Sequence, residues 1–259
     1  EFLVERERER MKFRSGTYYD LQAVLQKAGE NDEFKADLTH VNDKRVASGK
    51  DFDENTGKLK KPDSVVLLDE DKASALVEDL KAANWAVTNV EVKNQKRSPA
   101  PPFITSTLQQ EANRKFGMSA RDAMSVAQKL YEKGFITYMR TDSTIVSEDF
   151  QKLLNDNITS EFGNEYYNAP KVKKVKGSQE AHECIRPTAL NSVLDMDKFE
   201  KDDIKLYNMI YDRTIKSHMK PAIYTVNSIK LMNSNTTDIG YFISKQKEIK
   251  FKGFLAYKR

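Results

Sequence analysis

The chain predicts an α+β fold in which a discontinuous β-rich domain is interrupted by an inserted, mainly helical one. Three observations carry this. Apolar side chains alternate in strand fashion near both ends, at Phe34, Ala36 and Leu38 and again at Tyr224, Val226, Tyr241 and Ile243. Between them, residues 105–116, 119–133, 148–161 and 198–219 carry helical periodicity. Prolines bracket that middle portion, at Ser98-Pro-Ala-Pro-Pro102 and at Pro221, where neither a helix nor a central strand is favoured.

Taken in order, residues 1–12 read as a helix end bearing alternating Glu and Arg, a solvated surface with local charge pairs. Residues 13–48 follow with strand-like placement of Tyr18, Leu21 and Val24, then of Phe34 to Val41. Residues 49–63 form a polar loop with Asn-Thr-Gly turn chemistry. A helix is expected over 70–83 and a strand from Trp85 to Val92. The helix over 119–133 has the strongest boundaries: Ser119 with Asp122 suits a capping box, and Gly134 suits a C-terminal cap. Its inward face is read as Met124, Ala127, Leu130 and Tyr131, with Gln128 as a polar interruption. Phe103, Phe116 and Phe135 join Tyr131 at core-like positions, so no aromatic is assigned as a base platform. Pro221 ends the helix over 198–219, and strands return from Ile223.

Composition narrows the functional classes. Of 259 residues, 39% are hydrophobic and 32% charged, and no apolar run approaches the roughly 20 residues of a membrane span. The single Cys184 excludes disulfides and cysteine-based zinc sites within the chain, which fits a cytoplasmic setting. There is no initiator Met and no signal-peptide pattern, and the start lies inside a helical stretch, so the chain reads as part of a longer protein. Net charge is only +4, but Lys93, Lys96 and Arg97 and then Lys171, Lys173, Lys174 and Lys176 flank the middle portion, where they suit either solvated loops or a phosphate backbone.

The most specific chemistry lies in Gly134-Phe-Ile-Thr-Tyr-Met-Arg-Thr-Asp-Ser-Thr144. Tyr138 stands two residues from Arg140 and four from Asp142, straight after a well-bounded helix. Free phenol is a poor nucleophile at neutral pH, with a pKa of about 10. A neighbouring guanidinium favours phenolate and can also hold a phosphate oxygen. In an extended segment, alternate positions place Arg140 on the face of Tyr138. The competing reading is a packed tyrosine beside a surface Arg140–Asp142 ion pair.

This segment resembles the active-site motif G-x-I-T-Y-x-R-T-D-S of type IA DNA topoisomerases. Pro101-Pro-Phe-Ile-Thr-Ser-Thr-Leu-Gln-Gln110, continuing through Arg114, resembles the block upstream of it, and Ala181-His-Glu-Cys-Ile-Arg-Pro-Thr188 the block downstream, with Cys184 in place of a small alanine. Order and spacing agree, and a looser likeness covers nearly the whole chain. The upstream block and Met139 favour the bacterial topoisomerase I branch over topoisomerase III; reverse gyrase, which shares the core, stays open.

The resemblance implies a β arch over 31–97 and 221–259, an inserted helical domain over 98–220 that carries the catalytic tyrosine, and the end of a preceding domain with the entry into the arch over 1–30. It implies that Tyr138 attacks single-stranded DNA to form a transient 5′-phosphotyrosine, without ATP, in an enzyme that relaxes negative supercoils. Arg140 and His182 would complete the catalytic set. Thr105, Ser106, Thr107, Gln109, Gln110, Arg114, Thr141, Asp142, Ser143 and Arg186 would contact DNA, although the hydroxyls also suit helix capping and Arg186 could instead anchor its loop through Glu183. Arg121 and Lys129 suit the DNA path or plain surface equally, and His40 and His218 are taken as ordinary.

Mg²⁺ is expected on a Toprim domain outside this chain and none within it. Asp69-Glu-Asp71 and Asp195-Met-Asp197 depart from the expected acidic cluster and read as helix-start charges. Expected partners are single-stranded DNA and the Toprim and gate-base domains of the same protein, in a monomer without membrane contact near the nucleoid. The chain alone is expected to cleave poorly. The alternatives are a non-catalytic single-strand-binding module on the same scaffold, with a steep salt dependence and no covalent adduct, and a structural domain that docks a protein.

Overall fold

The structure, a computed structural model, describes residues 2–81, 84–168, 182–191, 198–233 and 240–258. The lysines at 171–176 and the Asp195-Met-Asp197 run lie outside the described residues. In chain order the elements are α1 (Phe2–Lys12), β1 (Gln22–Gln26), β2 (Glu33–Val41), β3 (Lys44–Val46), β4 (Val65–Val66), α2 (Glu70–Lys81), β5 (Trp85–Arg97), α3 (Thr105–Phe116), α4 (Ala120–Glu132), α5 (Glu148–Phe162), α6 (Lys201–Ser217), β6 (Ala222–Asn233) and β7 (Gly240–Phe251). The fold is α+β, as the sequence predicts, with a seven-stranded and mostly antiparallel sheet ordered β4-β3-β2-β7-β6-β5 and β1 paired to β2. Residues 1–94 with 225–248 form one compact unit, and residues 95–224 with 249–259 form another.

In the first unit, β1 and β2 pair antiparallel with Ala23 opposite Ala36 and Leu25 opposite Phe34. Asn42 and Asp43 both take positive φ, as a tight two-residue hairpin between β2 and β3 requires. Ala36, Leu38, Val41, Leu68, Leu231 and Phe242 form the core, with the edge of Trp85 against the Phe242 ring. In the polar loop, Arg45 pairs with Asp51, and the Asp53 carboxylate accepts from the amides of Asn55 (3.0 Å) and Thr56 (2.9 Å). α1 is exposed throughout; its Arg6–Glu9 and Arg10–Glu7 pairs are of the screened surface kind that stabilise little. β5 continues through Arg97 rather than stopping at Val92. Its end, Lys-Asn-Gln-Lys-Arg, is exposed on both faces and so carries no alternation for a sequence to reveal.

The second unit has two cores. Phe103, Leu108, Ala123, Ala127, Leu130, Ile136 and Met139 pack with Leu206, Tyr207 and Ile210 of α6. Val146, Phe150, Leu154 and Ile158 pack with Ile215, Met219 and Tyr257. Residues 249–259, expected with the β arch, cluster here because Phe254 and Tyr257 find their apolar partners in this second core. Gly253 permits the close approach: its φ is +50°, and a Cβ would lie 2.4 Å from the carbonyl oxygens of Lys220 and Pro221.

Two expectations about α4 need correction. Gln128 is exposed and donates to Glu132 (2.6 Å), so the inward stripe runs through Ala123, Ala127 and Leu130 without a polar interruption. Tyr131 is 40% exposed and stands outside both cores of this unit.

Candidate active site

The site is built on the end of α4. Ser119 Oγ caps its start by accepting from the Asp122 amide (3.1 Å). At its end Gly134, at φ +77°, donates to the Tyr131 carbonyl (2.8 Å), and Phe135 donates to the Leu130 carbonyl (2.9 Å). This is the paired hydrogen-bond pattern of a glycine-terminated helix, and it reverses the chain immediately before the tyrosine segment. From there burial sorts the side chains. Ile136 and Met139 are buried, whereas Tyr138 and Arg140 are exposed.

The three motif blocks converge on this segment through backbone and threonine hydrogen bonds. Thr137 donates from its amide to the Arg186 carbonyl (2.9 Å) and from Oγ1 to the Cys184 carbonyl (2.6 Å). The Arg186 amide returns to Thr137 Oγ1 (3.0 Å). Thr188 donates to the carbonyls of Phe135 (3.0 Å) and Gly134 (2.7 Å), and Ile185 donates to Phe103 (2.9 Å). From the upstream block, Thr105 Oγ1 lies 2.8 Å from the Met139 carbonyl and 3.1 Å from that of Thr141, and it accepts from the Thr141 amide (2.9 Å). Tyr138 and Arg140 are therefore carried on a loop tied from two directions, with both side chains left outward.

The other sequence-selected residues divide by what they touch. Thr107 Oγ1 exchanges hydrogen bonds with the backbone of Ile104, which tightens the start of α3. Ser106 and Gln110 are exposed and Gln109 is half-buried. Arg114 pairs with Glu111 at 2.8 Å on an exposed flank. Thr141 and Ser143 accept from the Ser143 and Ile145 amides, both at 3.1 Å, in successive local turns. Asp142 is exposed, and among the described residues no ion pair joins it to Arg140. His182 is exposed beside Glu183.

Arg186 is engaged inward. Its guanidinium pairs with Glu183, donates to the Pro187 carbonyl (3.0 Å) and lies 4.0 Å from the centre of the Phe150 ring. Glu183 also accepts from the Ser147 amide (2.7 Å), so the pair fixes the loop that presents His182. Lys129, read as DNA path or plain surface, bridges α4 to the buried Asp203 of α6 at 2.5 Å. Cys184 is buried, and burial pushes its thiol up to about 12, so it is no rival nucleophile. His218 is also fully buried, with Nδ1 3.1 Å from the Thr214 carbonyl, and burial lowers its pKa.

Sequence reasoning did not select Thr137, although its hydrogen bonds hold the loop and its place inside the motif was a signal, whereas anchoring of Arg186 through Glu183 was among its readings. Nor did it find Arg213, which donates to the Pro101 carbonyl (3.3 Å) and stacks 4.2 Å above the Phe103 ring, fixing the proline-rich approach to α3. Among the described residues no three His, Cys, Asp or Glu side chains gather into a metal-binding group. Asp69 instead accepts from the Lys72 amide (2.9 Å) at the start of α2. Among the described residues the acidic groups do not fit a magnesium site.

The sequence model of the DNA topoisomerase family matches residues 1–259. DNA topoisomerase 1 of Mycolicibacterium smegmatis is 43% identical over 270 residues, covering 98% of this chain and 28% of its own length. DNA topoisomerase 1 of Synechocystis is 43% identical over 257 residues, covering 97% and 28%. The solved full-length topoisomerase I from Thermotoga maritima superposes with a TM-score of 0.69 at 29% identity, covering all of this chain and 39% of that one. The chain thus spans about 28% of the length of the curated relatives it matches. No helix among the described residues is long and apolar enough to cross a membrane.

Proposed function

This chain belongs to the DNA topoisomerase family, and from that premise we propose that it supplies the nucleophile of a type IA enzyme that relaxes negatively supercoiled DNA. Tyr138 Oη attacks a phosphodiester of single-stranded DNA. A bond forms from Oη to phosphorus, the bond to the 3′ oxygen breaks, and the 3′ hydroxyl departs with a proton. Strand passage follows, and the same exchange in reverse restores the DNA without ATP. The observation that carries this reading is the outward pair of Tyr138 and Arg140 on a loop tied by Thr105 and Thr137. A positioned nucleophile beside a cation with no ion-pair partner among the described residues meets the two needs of phosphoryl transfer, alignment and stabilisation of charge on the phosphoryl oxygens.

Arg140 holds the scissile phosphate bidentately, and His182 supports it from the neighbouring loop. Asp142, Ser143, Ser106, Gln109, Gln110 and Arg114 line the path of the single strand, with Thr141 positioned among them. Thr105, Thr107 and Arg186 act mainly by fixing the loops, through the Thr105 and Thr107 hydroxyl bonds to backbone and the Arg186–Glu183 ion pair. The magnesium implied by the family finds no donor cluster among the described residues, so no step is routed through it.

The test is plasmid relaxation by the complete polypeptide that carries this chain. Tyr138→Phe, which keeps the ring and removes Oη, is expected to abolish relaxation while leaving single-strand binding intact. Relaxation at the native rate by Tyr138→Phe would overturn the assignment.

A further inference from the structure

We propose that Tyr131 is a positioning residue for the Tyr138 nucleophile, an inference that rests on the function proposed above. Tyr131 lies in the last turn of α4, next to the fully buried Leu130, yet it stays 40% exposed and outside the two cores of its unit. Its ring meets that of Tyr138 instead: the centroids are 5.2 Å apart and the planes cross at 67°. This is the edge-to-face geometry that aromatic quadrupoles favour.

The arrangement matters because of what each partner lacks. The backbone around Tyr138 is fixed, by Thr137 toward Cys184 and Arg186 and by Thr105 toward Met139 and Thr141. The Tyr138 side chain is not fixed by a core; it is 46% exposed and belongs to neither apolar cluster of its unit. An exposed tyrosine samples several χ1 wells, and only one aims Oη at a bound phosphate. Tyr131 can select among them because its own backbone is rigid. It sits within a capped helix, and its carbonyl accepts the Gly134 amide in the helix-ending turn. Gly134 then folds the chain back, so that position 138 comes to rest against the side chain seven residues earlier. The ring contact thus extends the rigidity of α4 to the nucleophile.

An edge-to-face pair of this kind shifts a rotamer population by roughly two- to tenfold. The effect should fall on the chemical step at saturating DNA and not on DNA affinity. The experiment measures single-turnover formation of the covalent adduct, and single-strand binding in parallel, in the complete polypeptide carrying Tyr131→Leu or Tyr131→Phe. Tyr131→Leu should slow adduct formation by about two- to tenfold with unchanged binding, and Tyr131→Phe, which keeps the ring, should restore it. Three results would overturn the inference: native rates in Tyr131→Leu, equal loss in Tyr131→Phe and Tyr131→Leu, or a loss of DNA affinity at an unchanged rate, which would make Tyr131 a base platform. Tyr138→Phe run alongside separates the two levels. An adduct that persists in Tyr138→Phe defeats the assigned nucleophile itself, whereas its disappearance there with native rates in Tyr131→Leu defeats only the positioning role.

Discussion

Replacing Thr105 with valine tests whether this hydroxyl holds the tyrosine loop or touches DNA. The substitution is nearly isosteric, so its effect can be followed through individual hydrogen bonds. Thr105 Oγ1 serves the Met139 carbonyl at 2.8 Å and the Thr141 amide at 2.9 Å, while the Thr141 carbonyl keeps a second donor in the Thr105 amide at 3.0 Å. Valine therefore strands one carbonyl and one amide on either side of Arg140. A buried unsatisfied group costs about 1–3 kcal/mol, and with Thr105 half-buried the low end for each gives a total of about 2 kcal/mol. That corresponds to a fall in melting temperature of about 4–8 °C for a domain of this size. The loop then relaxes, and a displacement near 1 Å costs on the order of 100-fold in a positioned reaction. Cleavage of saturating single-stranded DNA by Thr105→Val should therefore slow by roughly 10- to 100-fold with affinity held, and Thr105→Ser should stay close to native. A variant that cleaves at the native rate when saturated, but binds DNA more weakly, would refute the loop-locking argument.

Three further outcomes follow from the geometry. Arg186→Ala should lower stability by about 2–4 kcal/mol in urea denaturation, because it leaves Glu183 without its cation and empties the face of Phe150; unchanged stability with weakened DNA binding would place the guanidinium on DNA instead. Gly134→Ala should cost about 1–2 kcal/mol from backbone strain alone, since φ is +77° and a Cβ there would meet nothing within 4 Å; an unchanged urea midpoint would show that the turn tolerates another conformation. Stability should also fall as pH drops below the ordinary histidine value of 6.5. Burial lowers the folded pKa of His218, so the unfolded chain takes up the proton first, and the contribution present above 6.5 is lost as pH falls toward the depressed value, by at most about 1.4 kcal/mol per pH unit. His40 is shifted the same way, mainly by burial with Lys230 and Arg45 adding, while Asp51 and Glu111 are held ionised through this window by their basic partners. His218→Gln should flatten most of the slope in urea titrations between pH 7.5 and 5.5, and an unaltered slope would exclude His218 as its source.

How far the sequence revealed this structure depended on how local each signal was. The limits of α4 were legible because Ser119, Asp122 and Gly134 act on backbone groups within a turn of themselves. The shared outward exposure of Tyr138 and Arg140 followed from their two-residue spacing across the buried Met139. Rotation of α4 was harder: Leu130, Tyr131 and Gln128 all satisfy a helical repeat, and only packing against α6 decides which of them face inward. The threonine hydroxyls were least legible. Thr105, Thr107 and Thr137 have the same chemistry, yet one locks a loop, one tightens a helix start and one joins two motif blocks. Partners so distant in sequence, such as Thr137 and Cys184, appear only once the chain has folded.

The most direct test of the account is covalent trapping on end-labelled single-stranded DNA, quenched with denaturant, using the complete polypeptide that carries this chain. A protein–DNA adduct joined through the 5′ phosphate, mapping to Tyr138 and absent in Tyr138→Phe, is the predicted result. An adduct that maps elsewhere, or no adduct from a folded protein that binds the same DNA, would contradict the claim that this loop carries the nucleophile.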